Sequence, residues 1–265
     1  MSQPSICLHC GTPLGDRLFV RQSDGYCCEN CFLDKRLSPE RRRIDDVYGA
    51  FVEALTEMLD FREQETGLHS KRVACHTQVL ARRFIDDSQR LRQITWGALL
   101  HDIGKMGIPD RILLKREMLT ADEWQVMRTH PAMGYRIIGK LPEMTEAADL
   151  VHCHEERFDG TGYPRGLRGT SIPLGARLFA VIDTLDAMTS DRPYRQGVSF
   201  DVAKQEIVRQ ANTQFDPLAV DAFLAEEATL REMVALKCGL QATIQDMPDV
   251  NSGLHAPAHS ALGQL

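Results

Sequence analysis

The sequence contains no apolar run of the length that a membrane-spanning helix needs. Its first residues also lack the basic and then apolar pattern of a secretory signal peptide, so we expect a cytoplasmic protein that does not bind membranes. Positive charge is not in excess, because 31 Lys and Arg residues stand against 37 Asp and Glu residues, a formal net charge of −6. This balance argues against a DNA-binding face, but it leaves room for a local basic pocket that holds a small anion.

Alternating strand patterns with turn signals are absent from the middle of the sequence, where apolar residues recur instead at helical spacing. We therefore predict an all-α main domain, a helical bundle, with a small appendage at its N-terminal end. The predicted organisation is a cysteine module over 1–35, a linking helix over 36–60, the main domain over 61–230 and a partly disordered extension over 231–265. A chain of 265 residues is long enough for such a core.

Cysteine is concentrated at the N-terminal end, where five of the eight cysteines fall within the first 31 residues. Cys7 and Cys10 form one CxxC pair, and Cys28 and Cys31 form a second. This spacing is typical of a structural zinc site with four thiolate ligands. Cys27 is a candidate substitute ligand next to the second pair. The alternative is a reduced or redox-active cysteine cluster without a metal.

The central motif is Leu99-Leu100-His101-Asp102-Ile103-Gly104-Lys105, in which an imidazole and a carboxylate follow two leucines. The two leucines before His101 predict a buried helix. Both polar groups would then need partners, and a metal cation can satisfy both. The simpler interpretation is a capped or salt-bridged helix end at Gly104. Glu65 and His69, four residues apart, share one helical face and could share one metal site.

The segment 159–173 is dense in Gly and Pro and predicts a long loop that presents Tyr163. An ordinary surface loop is the alternative. Further along, Arg192 and Arg195 lie in a predicted turn, and arginine pairs suit phosphate or guanine contacts.

Over roughly Phe51 to Leu230 the chain resembles the HD-GYP family of cyclic dinucleotide phosphodiesterases, a branch of the HD metal-dependent phosphohydrolases. The segments that carry the resemblance are ETGLHSKRV, HDIGKMGIPDRILLK, MRTHPAMG, HEERFDGTGYPRGL and IPLGARLFAVIDTLDAMTSDRPYR.

The resemblance implies a set of site residues and two or three metal ions, with iron or manganese expected first. Asp102 would bridge two metals, Lys105 would lie near the scissile phosphate, and Glu65 would be linked with a third metal. The implied metal ligands are Glu65, His69, His101, Asp102, His130, His154, Glu155 and Asp183. The implied contacts to the cyclic dinucleotide are Tyr163, Asp186, Arg192 and Arg195.

One position departs from the family pattern, because Glu155 stands where the family usually has a second histidine. The resemblance implies hydrolysis of cyclic di-GMP to pGpG, and further to GMP, by a metal-bridged hydroxide. Two alternatives stay open: a cyclic di-GMP receptor with weak turnover, because Glu155 alters the cluster, and a phosphodiesterase for another cyclic dinucleotide such as 3',3'-cGAMP. The N-terminal module leaves a homodimer or a protein partner open.

Overall fold

Helices make up the main domain in the computed structural model, which describes residues 6–8, 19–22, 25–28, 31, 39–63, 68–191 and 196–245. The helices are α1 (Pro39–Glu63), α2 (Leu68–Ala81), α3 (Ser88–Leu99), α4 (Asp110–Leu113), α5 (Ala121–Met127), α6 (His130–Ile138), α7 (Thr145–Cys153), α8 (Leu174–Thr189), α9 (Phe200–Arg209), α10 (Pro217–Ala225) and α11 (Glu227–Gln245). Short 3₁₀ turns cover Ile103–Gly107 and Gly169–Ser171. The all-helical prediction for the main domain is confirmed.

Helix α3 forms the centre of the bundle, and every residue from Leu91 to Leu99 is buried. It begins at Asp87, whose side chain accepts a hydrogen bond from the backbone N–H of Arg90. Helices α2 and α7 pack on α3, and α8 packs on α2. Because α3 is enclosed in this way, the His101-Asp102 pair that follows it is held in the interior.

Two local features position the segments after α3, a capped helix start and a close backbone approach at a glycine. Thr120 and Glu123 form a capping box at the start of α5, with reciprocal side-chain and backbone hydrogen bonds. Gly104 lies where the 3₁₀ turn after α3 crosses the start of α6, and an added Cβ there would fall 1.8 Å from the carbonyl oxygen of His130. Only glycine permits this close approach, which brings the two segments together.

Two predicted domain boundaries fall inside helices. Helix α1 is continuous across residue 60, and its Val52 is part of the main core, so this helix packs on the main domain. Helix α11 is continuous across residue 230, and both Leu230 and Val234 pack in the same core. Among the described residues, none of the helices combines the length and apolar character that crossing a bilayer needs.

The N-terminal module contains an antiparallel hairpin that the sequence pattern did not indicate. Strand β1 (Phe19–Gln22) pairs with strand β2 (Gly25–Cys28), and Phe19 lies opposite Cys28. The backbone N–H of Leu8 donates to the carbonyl of Tyr26, which places the segment around Cys7 against β2. This arrangement brings Cys7 towards Cys28 and Cys31.

Candidate metal centre

Two groups of ligand-type side chains lie in the interior at the end of α3. The first contains His69, His101 and Asp183, and one potential ligand atom of each lies within 4.8 Å of the others. His69 is at the start of α2, His101 follows α3, and Asp183 lies within α8. The three residues are far apart in the sequence, so it is the packing of these helices that brings them together.

The second group contains Asp102, His130 and His154, again with ligand atoms within 4.8 Å of one another. Asp102 Oδ1 lies 3.3 Å from His130 Nε2 and 3.7 Å from His154 Nε2, while Oδ2 lies 3.0 Å from His101 Nε2. The Asp102 carboxylate therefore lies between the two groups. This is the arrangement in which one carboxylate can serve two metal ions.

Three of the histidines are oriented by the same local contact. The Nδ1 atoms of His101, His130 and His154 lie 2.8–2.9 Å from the carbonyl oxygens of the residues three positions earlier, Ala98, Met127 and Val151. These carbonyls end α3, α5 and α7, where backbone acceptors lack intrahelical partners. Each Nδ1–H can donate there, which directs Nε2 and its lone pair into the cluster, as in metal-binding histidines.

The facing nitrogens of His130 and His154 also suit a metal ion. His130 Nε2 and His154 Nε2 face each other at 3.0 Å, and both rings are buried. With both Nδ1 atoms donating to carbonyls, neutral rings present two lone pairs to each other, an arrangement that a cation between them stabilises. Mixed imidazole and carboxylate ligands suit iron and manganese.

The charges of the two groups also suit a cation. Burial opposes ionisation of Asp102, yet the charges of His101 and Lys105 hold its pKa well below the usual range. Burial likewise opposes ionisation of Asp183, but its hydrogen bond to His69 lowers its pKa. Burial lowers the pKa of His154 to about 3, and the neighbouring His101 and His130 add to that effect. Ionised carboxylates and a neutral imidazole are the forms that bind metals.

His69 is oriented differently, by a buried carboxylate behind it. Its Nδ1 lies 2.8 Å from Asp186 Oδ2, and Asp186 is 1% exposed. Arg72 donates to both oxygens of Asp186, at 2.6 and 2.9 Å, and the Ser190 hydroxyl donates at 3.1 Å. Asp186 therefore lies where it can orient the His69 ring. The expected contact of Asp186 with a cyclic dinucleotide stays a prediction, and protein donors engage both of its buried oxygens.

The remaining predicted site residues that the structure describes border the second group. Lys105 Nζ lies 2.7 Å from Asp102 Oδ2, and its side chain is partly exposed. The Tyr163 ring packs edge-on against His130, with ring centroids 6.4 Å apart. Glu155 lies beside these residues, but it is not in either group of ligand atoms. Burial raises the pKa of Glu155, and the neighbouring Tyr163 hydroxyl opposes that rise.

The loop that carries Tyr163 is shaped by Glu156. This buried carboxylate accepts backbone hydrogen bonds from Arg165 at 2.8 Å and from Leu167 at 3.0 Å. Gly162 packs so closely that an added Cβ would lie 2.3 Å from the backbone nitrogen of Arg157. These contacts fix the loop as a defined wall of the site.

Sequence reasoning missed two arginines that the structure places near the site. Arg72 holds Asp186, and Arg128 lies over the Tyr163 ring, with Cζ 5.4 Å from its centroid. Spacing offered a signal for both, since Arg72 lies one helical turn after His69 and Arg128 lies two residues before His130. The predicted site residues Glu65, Arg192, Arg195 and Cys10 lie outside the part of the chain that the structure describes.

The cysteine module forms a third group. The sulfur atoms of Cys7, Cys28 and Cys31 lie within 4.8 Å of one another, and the Cys28 backbone N–H donates to Cys7 Sγ at 3.3 Å. The Cys27 thiol instead donates to the Cys28 carbonyl at 3.4 Å. Burial raises its pKa to about 12, and the nearby Cys7 and Cys28 sulfurs add to that effect. The structure therefore favours Cys28, not Cys27, as the member of the group.

Comparison with known proteins adds a second line of evidence. The pattern of the HD domain family matches residues 53–218. A probable cyclic di-GMP phosphodiesterase of Vibrio cholerae is 36% identical over 224 residues, which cover 78% of this chain and 51% of the relative. The 3'3'-cGAMP-specific phosphodiesterase 3 of the same organism is 37% identical over 176 residues, covering 66% of this chain and 38% of that protein.

A solved structure shares the fold. The crystal structure of a cyclic GMP-AMP specific phosphodiesterase of Vibrio cholerae, V-cGAP3, matches with a TM-score of 0.57 at 18% sequence identity, covering 75% of this chain and 53% of that one. The chain spans about half the length of the first curated relatives it matches.

Proposed function

This chain belongs to the HD domain family, and from that premise we propose that it is a metal-dependent phosphodiesterase whose substrate is a cyclic dinucleotide, cyclic di-GMP first. One observation carries the proposal: the Asp102 carboxylate lies between two three-residue groups of histidine and carboxylate ligands, 3.0 Å from His101 Nε2 and 3.3 Å from His130 Nε2. A pair of adjacent cation sites is suited to phosphodiester hydrolysis.

The residues that would hold two divalent ions, iron or manganese, are the two groups around Asp102. Such ions supply a nucleophilic oxygen at neutral pH and neutralise charge on the phosphoryl oxygens. In each hydrolysis the bond between phosphorus and the 3' oxygen breaks, water oxygen adds to phosphorus, and the leaving oxygen takes a proton. The first cleavage gives linear pGpG and a second gives GMP. A third ion, with Glu65 as a ligand, is part of this proposal.

The side chains at the rim bind and orient the phosphate. Lys105 presents an ammonium group 2.7 Å from Asp102, where it can attract an incoming phosphate and stabilise charge that develops on its oxygens. Tyr163 packs edge-on against His130, and Arg128 lies over the Tyr163 ring. A guanidinium over an aromatic ring offers both a phosphate contact and a face for a base. Arg192 and Arg195 are proposed as further contacts to the ligand.

The test is an anaerobic assay of the full chain loaded with iron or manganese, with the linear products separated by chromatography. We expect turnover by the wild type and its loss in Asp102→Ala, while the matched control Asp122→Ala, which removes an exposed carboxylate from the first turn of α5, retains it. Wild-type protein that holds its metals and binds cyclic di-GMP without turnover would instead establish a receptor. Absence of both binding and turnover would refute the proposal.

A second candidate substrate is 3',3'-cGAMP, because a relative at 37% identity is named as specific for it. The same assay with both dinucleotides side by side decides between them. The larger value of kcat/KM identifies the preferred substrate.

We also propose that Cys7, Cys10, Cys28 and Cys31 bind one structural zinc ion, supported by the grouping of three of these sulfurs. Cys28→Ser should lower the zinc content by one ion per chain and retain phosphodiesterase activity. Cys75→Ser, which changes a buried cysteine of α2 in the main domain, is the control and should leave the zinc content unchanged. Unchanged zinc in Cys28→Ser would refute the site. A cytoplasmic location stays a prediction.

A further inference from the structure

Helix α1 carries a stripe of exposed apolar side chains, the α1 stripe, that its own domain does not cover. Its members are separated by three, four, three, four and three residues, which is the heptad spacing of a coiled coil. The members are Ile44, Val47, Phe51, Ala54, Met58 and Phe61.

The α1 stripe is separate from the face by which α1 packs on the domain. Val52 and Leu59 are buried in the domain core or against it, with exposures of 0% and 1%. By contrast, Val47 is 66% exposed, Met58 is 53% exposed and Phe61 is 84% exposed. At its C-terminal end Arg62 ties the helix to the 3₁₀ turn through the carbonyls of Met106 and Ile108. The helix is thus held in place without help from the stripe.

The size of the α1 stripe matches what a stable interface needs. Scaling typical side-chain areas by the exposed fractions gives on the order of 500 Å² of exposed apolar surface from its five larger members. A standard interface covers about 800 Å² on each partner, of which about 57% is apolar. The stripe alone therefore supplies the apolar share of one such surface.

We propose that the α1 stripe is a homodimer interface in which α1 packs antiparallel against α1 of a second copy. The stripe is symmetric about its midpoint, so an antiparallel pair places Phe51 opposite the partner's Ala54. The same arrangement places Val47 opposite the partner's Met58, and Ile44 opposite the partner's Phe61. The largest central side chain thus meets the smallest, whereas a parallel pair would stack Phe51 on the partner's Phe51 and leave the alanines facing each other.

The pairing of the largest central side chain with the smallest assigns the homodimer that the sequence leaves open to α1 and not to the cysteine module.

The first experiment measures the mass of the full-length protein by sedimentation equilibrium over a range of concentrations up to about 100 µM, enough to populate a dimer of micromolar affinity. We expect a dimer that Val47→Glu weakens by roughly 100-fold or more, because each copy would bury an unpaired carboxylate. The matched control is Val202→Glu on α9, a valine that is 48% exposed and off the stripe. Circular dichroism confirms that both variants are folded.

A monomeric wild type, or a dimer that Val47→Glu leaves unchanged, would overturn the proposal. Orientation has its own test, the combination of Ile44→Lys with Phe61→Glu. Each single change should weaken the dimer, and the double change should restore it at least 10-fold relative to the singles, because an antiparallel pair sets each new lysine opposite the partner's new glutamate. Additive weakening in the double variant would overturn the antiparallel arrangement.

Discussion

The role of Asp186 can be tested by Asp186→Asn, which keeps the shape of the side chain and removes its charge. In the wild type the carboxylate accepts hydrogen bonds from at least three described residues, His69, Arg72 through two nitrogens, and Ser190. An amide has only one acceptor oxygen, so at least one Arg72 donor faces an NH₂ group. Arg72, whose side chain is 18% exposed, then loses its counter-charge.

Asp186→Asn should lower both the unfolding free energy and the metal affinity. Breaking a buried ion pair from one side costs about 3–5 kcal/mol of unfolding free energy, and the partial exposure of Arg72 places the expected value near 3 kcal/mol. Loss of the group that orients a metal-binding histidine lowers metal affinity by about 10- to 100-fold. Denaturant unfolding of the metal-free protein measures the first effect, and a manganese titration measures the second.

The control for Asp186→Asn is Asp216→Asn. Asp216 is also buried, 5% exposed, and forms an ion pair with Arg177 while capping α10. It lies outside both ligand groups, so its substitution should lower stability to a similar extent and leave manganese affinity unchanged. If Asp186→Asn is destabilised but binds manganese as tightly as the wild type, the assignment of Asp186 as the positioning residue of His69 is wrong.

Three further predictions concern packing, charge and pH. Gly104→Ala should lower the unfolding free energy by about 3 kcal/mol, because its Cβ would lie 1.8 Å from a backbone oxygen. Gly49→Ala, at a helix position with open space around it, should raise the unfolding free energy by about 0.5–1 kcal/mol. Urea unfolding measures both changes. Lys105→Met should lower kcat by about 100-fold at unchanged metal content, while Lys115→Met should leave both unaffected; steady-state assays and metal analysis decide. Although burial opposes it, hydrogen bonds to two carboxylates raise the pKa of His69 to about 10 in the metal-free protein. The stability that this charged form contributes is complete below about pH 6.5 and is lost towards about pH 10, and metal binding must displace the proton. The rise in Tm that manganese produces should therefore grow between pH 6.5 and 9, and a rise that shrinks over this range would contradict the linkage.

Periodicity predicted the helices of the main domain, because it depends on neighbours a few residues away. The hairpin of Phe19–Gln22 and Gly25–Cys28 was missed, since strands of only four residues are too short to show a clear alternation. The boundaries predicted at 60 and 230 both fall within continuous helices, and Val52 and Val234 are buried in the same core. The division into domains stays a prediction.

The candidate site shows the same division between local and distant causes. Family spacing in the sequence indicated the six residues that the structure collects into two groups, although it did not indicate how they are oriented. Asp183 and Asp186 lie three residues apart on α8, and the sequence indicates a site role for both. Of the two, it is Asp186 that forms an ion pair with Arg72. Glu155 likewise follows His154 directly, but it belongs to neither group of ligand atoms. Neither outcome depends on the local sequence alone.

The two ligand groups differ in how their histidines are held, and therefore in how easily a change in packing disturbs them. His130 and His154 each donate to a carbonyl three residues earlier at a helix end, so their direction is set within one turn of the chain. His69 depends instead on Asp186, a residue more than a hundred positions away that is itself held by Arg72. Changes that loosen the packing of α2 on α8 should therefore disturb the first group before the second. Asp102 contacts both groups. A variant with loosened packing of α2 on α8 would therefore keep the second group of ligands and lose the first. Phosphodiester hydrolysis that needs both groups would fail in such a variant before the domain unfolds.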